Sequence, residues 1–154
     1  MSALLDNIPR YRAMTVNDLD TVMAVEKVIY PHPWTRGNFS DSLHSGYHCW
    51  IMEAAGEIIG YTVVMIAAGE AHLLNLSIAA QWQRSGHGRE LLGFLLMNVR
   101  DCGAEKIFLE VRPTNVAGLR LYAAAGFGEI AIRRGYYPLH GGREDAIVME
   151  RELN

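Results

Sequence analysis

Hydrophobic and polar positions alternate along this chain in two rhythms, one near 3.6 residues and one near 2, and the switches between them mark its elements. A short strand around Arg10 to Met14 leads to Thr15, whose hydroxyl can cap a helix while Asp18 favours its positive N-terminal end. Leu19, Val22, Met23, Val25 and Glu26 follow at roughly helical spacing, and Pro31 and Pro33 stop that helix. Thr35 can cap a second, shorter helix running through Phe39 and Leu43. From Tyr47 the rhythm changes. Cys49 to Met52 reads as a strand, Ala55-Gly56 as a turn, Ile58 to Ala67 as a second strand rich in β-branched residues, and Gly69-Glu70 as a turn into Ala71 to Ala79. These three strands predict an antiparallel meander.

After Gly88 the helical rhythm returns, with Leu91, Leu92, Leu95, Leu96 and Val99 along one stripe. Gly103 ends it, and Lys106 to Arg112 forms the next strand. Strand, helix, strand in this order predicts a right-handed crossover, and so a parallel pair beside the meander. Asn115 can cap a further helix through Leu119, Leu121 and Tyr122, which Gly126 terminates. Phe127 to Arg133 and Asp145 to Leu153 read as two last strands, joined by Tyr136-Tyr137-Pro138-Leu139-His140-Gly141-Gly142. The expected architecture is mixed α/β, a largely antiparallel sheet with helices on both faces. With 154 residues, no internal repeat and no linker, residues 1–154 are expected to form one domain.

Composition narrows the function classes. Cys49 and Cys102 lie far apart in a chain with no Cys-x-x-Cys, so two buried thiols are expected rather than a disulfide framework. The stretch from Met1 to Arg10 has no apolar run of signal-peptide length, and no stretch approaches a membrane span. A soluble, cytoplasmic protein without a membrane partner is expected. A formal charge of −3 and a pI near 6.0 disfavour a broad nucleic-acid surface. Six histidines are present, and His44 and His48 even have i, i+4 spacing, but no clustered acidic or cysteine ligand accompanies them. No metal site is expected.

The loop Gln83-Arg84-Ser85-Gly86-His87-Gly88 lies between a strand and an amphipathic helix. Its glycines let a bulky anion approach backbone amides that have no intrahelical partner, which makes a phosphate cradle. The same glycines also suit a tight turn. No Gly-Lys-Ser or Gly-Lys-Thr follows, so the P-loop pattern fails; Leu91 occupies the third glycine position of a dinucleotide fingerprint. A pyrophosphate loop for coenzyme A fits both the loop and its surroundings. Glu110 alternates with Leu109 and Val111, so it projects to the opposite face of its strand, where it can either take a proton or stand as a solvated carboxylate.

Gln83-x-x-Gly86-x-Gly88 resembles the Gln/Arg-x-x-Gly-x-Gly/Ala signature of the GNAT superfamily of acetyl-CoA-dependent N-acetyltransferases. More narrowly, Leu109 to Asn115, Leu121 to Phe127, Gly135 to Pro138 and Gly142 to Met149, in this order and after Pro33-Trp34, resemble the bacterial ribosomal-protein-alanine N-acetyltransferases. The resemblance implies acetyl transfer from acetyl-CoA to the N-terminal alanine of the eighteenth small-subunit ribosomal protein, or to other protein N-termini, lysines or small amines. It implies Glu110 as base and Tyr122 as the acid that protonates the coenzyme A sulfur. It also implies that Leu76, Ser77 and Ile78 receive the acetyl and pantetheine arm, that Arg84, Ser85, Gly86, His87, Gly88 and Arg89 take the pyrophosphate, and that Asn115 contacts the cofactor. Trp34, Arg133, Tyr136 and Tyr137, with Arg134, are implied to line a peptide groove. Two departures stand out: His87 replaces a small or branched apolar residue, and Thr114 replaces a serine. An α-amine with a pKa near 8 is roughly a tenth neutral at pH 7, against about 0.04% for lysine, a difference of roughly 3.4 kcal/mol, so a single carboxylate base suits an α-amine.

Overall fold

In the computed structural model, which describes residues 8–154, the strands form one seven-stranded sheet of order β1-β2-β3-β4-β5-β7-β6. The strands are β1 (Arg10–Ala13), β2 (His48–Ala54), β3 (Glu57–Ala67), β4 (Glu70–Ile78), β5 (Lys106–Val111), β6 (Gly128–Leu139) and β7 (Gly142–Glu152). The helices are α1 (Leu19–Ile29), α2 (Arg36–His44), α3 (His87–Asp101) and α4 (Val116–Ala124). All but one of the assigned pairings are antiparallel; β4 and β5 run parallel, as a crossover through α3 requires. The mixed, largely antiparallel architecture expected from the sequence is therefore the one observed. The part of the N-terminal reading that falls on residues 1–7 lies outside the described residues.

Local chemistry explains most boundaries. The two hairpin loops Ala55-Gly56 and Ala68-Gly69 hold both residues at positive φ, the backbone twist that suits two-residue hairpins. A short 3₁₀ turn, Val16–Asp18, precedes α1; Asp18 accepts the Thr15 N–H at 2.8 Å and pairs with Arg12, which holds its carboxyl below the usual range. At α2 the Thr35 hydroxyl accepts from the Asn38 N–H at 3.1 Å while the Asn38 side chain accepts from the Thr35 N–H at 2.9 Å. Asn115 caps α4 by accepting the Gly118 N–H at 3.0 Å, and a Cβ at Gly118 would collide with that cap. Gly126, at φ 91°, closes α4: the Phe127 N–H reaches the Tyr122 carbonyl and the Gly126 N–H reaches that of Ala123.

The chain divides into two compact units. The first comprises Met1–Val64 and Asn75–Leu95, the second Met65–Leu74 and Leu96–Asn154. In the first, Met52, Ala54, Ile59, Ile78 and Leu91 form a buried cluster flanked by Tyr11, Leu76 and Trp82. In the second, Leu73, Ile107, Leu109, Val148 and Met149 are buried. The α3 stripe read from the sequence, Leu91, Leu92, Leu95, Leu96 and Val99, is buried throughout.

Two sequence expectations are corrected. The segment Tyr136 to Leu139 is not loop but the end of β6; only His140-Gly141 turns. A register shift between Arg133 and Tyr137, with Gly135 at φ 59° and its N–H held by Asp145 at 2.8 Å, lets the strand resume after an interruption that breaks the alternation. Pro138 is tolerated because β6 is the edge strand. The second correction concerns the thiols. Cys49 is buried and its thiol is pushed up to about 11, whereas Cys102, in the turn after α3, is exposed. Among the described residues no helix is long and apolar enough to cross a membrane, and no group of three His, Cys, Asp or Glu side chains is placed to hold a metal ion.

Candidate active site

Three residues of β5, Lys106, Phe108 and Glu110, share one face while Ile107, Leu109 and Val111 are buried on the other. The expectation that Glu110 points away from Leu109 and Val111 therefore holds, but its side chain is only 6% exposed, so it is no solvated strand carboxylate. His72 of β4 stands opposite Phe108 in the parallel register, its ring stacked on that of Phe108 with centroids 4.3 Å apart. From there Nε2 reaches Glu110 Oε2 at 2.5 Å. The other carboxylate oxygen, Oε1, lies 3.8 Å from Nε of Arg133 on β6. Tyr136 joins the same group: burial, and then the Glu110 charge, raises its hydroxyl pKa, while the Arg133 guanidinium lies 5.5 Å from its ring centroid. Tyr137 packs edge-on to Tyr136 and lies under the Arg112 guanidinium at 4.3 Å; burial and then the Glu110 charge raise its hydroxyl pKa too. Arg133, Tyr136 and Tyr137 are thus gathered around Glu110, whereas Arg134 is exposed and pairs at 3.6 Å with Asp145.

Glu144 of β7 fixes the loop that follows β5. It accepts from Arg112 Nη1 at 3.1 Å and from the Thr114 hydroxyl and N–H. Burial alone would raise its pKa, but these donors from Thr114 and Arg112 bring it below the usual carboxylate range. Thr114, at the position where the resemblance implied a serine, supplies the hydroxyl that makes this bond. Tyr122 lies on α4, 9% exposed, with its ring 5.7 Å from that of Phe127.

In the first unit, the C-terminal half of β4 alternates toward a buried polar cluster. Asn75 and Ser77 occupy the inward positions, and the Ser77 hydroxyl donates to Asn75 Oδ1 at 2.6 Å. The Tyr30 hydroxyl lies 2.6 Å from Ser77 Oγ and 3.2 Å from the Leu76 carbonyl; burial pushes its pKa up to about 12. Glu26 of α1, 1% exposed, accepts from the Tyr61 hydroxyl at 2.7 Å, the Trp34 N–H at 2.9 Å and the Asn75 amide at 3.5 Å. Burial raises its pKa despite these donors. Its place in the apolar stripe of α1 was visible in the sequence; its partners were not. The Glu26 bond holds the Trp34 backbone, and the Trp34 ring packs 5.0 Å from Phe39. Gly60 runs so close to β4 that a Cβ there would lie 2.8 Å from the Ser77 carbonyl oxygen.

The loop before α3 is also built tightly. Gln83 Nε2 donates to the Ile78 carbonyl at 2.9 Å, Arg84 sits at φ 63° and Gly86 at φ 87°, and the helix's backbone ladder starts with Glu90 N–H to the Gly86 carbonyl at 3.1 Å. The amides of His87, Gly88 and Arg89 precede that bond, in the first turn of a 15-residue helix whose dipole favours an anion. A Cβ at Gly86 would meet nothing within 4 Å, so the loop presents open backbone with Arg84 and Arg89 beside it. These features fit a pyrophosphate. The His87 ring packs edge-on against Trp82 at 5.6 Å and its Nδ1 lies 3.1 Å from Glu90, which gives the unexpected histidine a packing role. Ser85 donates to the Gln83 carbonyl at 3.4 Å.

Residues 19–127 match the Acetyltransferase (GNAT) family. The chain belongs to this family. Its members transfer acetyl from acetyl-CoA, and the chain is such an acyltransferase. It is 33% identical over 137 residues to the [Ribosomal protein bS18]-alanine N-acetyltransferase of Escherichia coli K12, covering 89% of this chain and 93% of that protein. It is 34% identical over 133 residues to the enzyme of the same name from Haemophilus influenzae, covering 86% and 90%. The crystal structure of the Escherichia coli ribosomal-protein-S18-alanine N-acetyltransferase superposes with a TM-score of 0.89 at 31% identity, over 96% of this chain and 95% of that one.

Proposed function

We propose that this chain acetylates the N-terminal α-amine of ribosomal protein bS18, at alanine, with acetyl-CoA as donor. The relatives of that name span nearly the whole chain, and the observation in this molecule that carries the reading is the shielded Glu110 carboxylate, flanked by His72 and Arg133 and within the field of Tyr136. Both compact units are read as parts of one acetyltransferase domain, since β3, β4 and α3 each run from one unit into the other. As bS18 is made on cytoplasmic ribosomes, the cytoplasm is the proposed site of action, without a nucleic-acid or membrane partner.

Acetyl-CoA supplies an activated acyl group on a thiol leaving group. On the chain's side, the amides and cations of residues 84–89 hold the pyrophosphate, and Leu76, Ser77 and Ile78 offer backbone to the acetyl and pantetheine arm, with a strand N–H polarising the carbonyl. Asn115 is a further cofactor contact beside its capping role. Glu110 takes the proton that the attacking amine loses, and Tyr122 gives a proton to the departing sulfur. Trp34, Arg133, Tyr136 and Tyr137 contact the peptide, the cation and aromatics of β6 presenting their faces next to the base. Tyr122→Phe removes the hydroxyl that would give the proton; turnover is expected to fall at least about ten-fold, whereas full turnover excludes the acid role. Substrate choice is checked by initial rates on three amines: an alanine-starting bS18 peptide, the same peptide with a blocked N-terminus and a free lysine, and a small amine. The first is expected to react fastest; preference for the lysine peptide or the small amine overturns the assignment.

A further inference from the structure

The hydrogen bonds of the buried cluster around Glu26 all run in one direction. The Trp34 N–H donates to Oε2 of this carboxylate at 2.9 Å, and the Tyr61 hydroxyl and the Asn75 amide donate to Oε1 at 2.7 and 3.5 Å. An amide with its NH₂ end on a carboxylate turns its oxygen the other way, and Asn75 Oδ1 accepts the single Ser77 hydroxyl proton at 2.6 Å. Ser77 Oγ is then left to accept, and its neighbour at 2.6 Å is the Tyr30 hydroxyl. The Tyr30 proton is therefore directed inward, and burial, which pushes its pKa up to about 12, holds it there. Outward, Tyr30 presents an oxygen with lone pairs only.

That oxygen lies 3.2 Å from the carbonyl oxygen of Leu76, farther than from Ser77, which takes the proton. Consecutive carbonyls of a strand alternate between its two edges. Those of Asn75 and Ser77 turn toward β3: the first accepts from the Thr62 hydroxyl at 2.7 Å, and the second lies 2.8 Å from where a Cβ of Gly60 would stand. The Leu76 carbonyl accordingly turns to the opposite edge of β4. The pairing of β4 with β5 ends at Leu73, whereas β4 continues to Ile78. Two acceptor oxygens thus stand side by side with no proton between them, and both Tyr30 and Leu76 are half-buried rather than sealed. We propose that the Tyr30 and Leu76 oxygens form an acceptor pair that binds the N–H groups of the substrate's α-amine and orients it before transfer. This rests on the reading of Leu76 to Ile78 as the segment that receives the acetyl group. An ammonium brings three N–H donors and a neutral primary amine two, enough for one to each oxygen, whereas a hydroxyl brings one and a hydrogen none. The run of donors ends on the Glu26 carboxylate, so its outer end is the negative one, which favours a cationic or donor-bearing group. Tyr30 takes no proton in this role, and no covalent bond is made or broken.

The test compares two peptides by calorimetry in the presence of saturating coenzyme A, which cannot react: an alanine-starting bS18 peptide, and the same peptide with its α-amine replaced by hydrogen. Wild type is expected to bind the amine peptide about ten-fold or more tightly than its counterpart, the contribution of hydrogen bonds from a charged donor. In Tyr30→Phe this ratio is expected to shrink toward one through weaker binding of the amine peptide alone, with the affinity for coenzyme A unchanged. Ser77→Ala keeps Tyr30 but frees its proton to turn onto the Leu76 carbonyl, so the ratio is expected to fall there too. A tyrosine that only fills space would leave the ratio untouched in Ser77→Ala, which makes this variant decisive even where Tyr30→Phe folds poorly. A ratio that stays at the wild-type value in both variants overturns the proposal, as does a wild-type ratio near one. A fall in coenzyme A affinity that matches the fall for the amine peptide in Tyr30→Phe also overturns it, since Tyr30 then only shapes β4. These outcomes leave α-amine acetylation standing if wild type acetylates the amine peptide with acetyl-CoA; no transfer to that peptide overturns the α-amine reading and the role of Tyr30 with it.

Discussion

Replacing Glu110 with glutamine is expected to lower kcat on an alanine-starting peptide by about 10²- to 10³-fold, the usual contribution of a positioned general base. The substitution keeps the shape of the side chain and an oxygen acceptor for His72 and Arg133, so the fold and the KM for acetyl-CoA should stay near wild type. What it removes is the capacity to take a proton at a position that is 6% exposed and already surrounded by donors. Water cannot readily substitute there. A loss confined to KM would instead mean that Glu110 binds the peptide amine without accepting its proton, because uniform binding is lost through KM and transition-state interactions through kcat.

The largest stability effect is expected at Glu26. Glu26→Ala leaves the Tyr61 hydroxyl and the Trp34 N–H without their acceptor and opens a cavity at a position 1% exposed, for a cost of roughly 3 kcal/mol or more. In a chain of this size that corresponds to a fall in melting temperature on the order of 10 °C. Glu26→Gln separates charge from bonding. The folded-state pKa of Glu26 is raised, so its buried charge opposes folding at neutral pH, and protonation on the acid side relieves that cost. The stability of wild type relative to Glu26→Gln is therefore expected to improve as pH falls from neutral through the raised pKa, until both forms carry a neutral side chain. A difference that is flat with pH would show that burial does not raise the Glu26 pKa above its unfolded value. Because Glu26 holds both the Trp34 backbone and Asn75, its loss should also raise the KM for acetyl-CoA or peptide in whatever folded protein remains.

What could be read from the sequence and what could not follow from the range of the interactions involved. Thr35 with Asn38, Asn115 with Gly118, and Gly126 after α4 act within one helical turn, so their residue types announce them. Glu110's orientation was equally legible, since a strand's period of two needs no partner. The end of β6 was not. Its alternation is broken by a register shift that depends on Asp145 across the hairpin, and Tyr-Tyr-Pro-Leu followed by Gly-Gly mimics a loop. The pairing of His72 with Glu110 spans 38 positions and depends on the parallel register of β4 against β5; the available signal was that both residues sit at the polar phase of adjacent predicted strands. The Glu26 cluster joins residues 49 positions apart, and its only local trace is a carboxylate within the apolar stripe of α1. Gln83, read as part of a signature, turned out to tie its loop back to the Ile78 carbonyl.

The most direct measurement is mass spectrometry of ribosomal protein bS18 incubated with acetyl-CoA and this protein, with the modified residue located by fragmentation. One added acetyl group on the α-amine of the N-terminal alanine is the predicted result, absent when Glu110→Gln is used for the same time. No added mass with wild type, or acetyl found only on lysine side chains, would contradict the account.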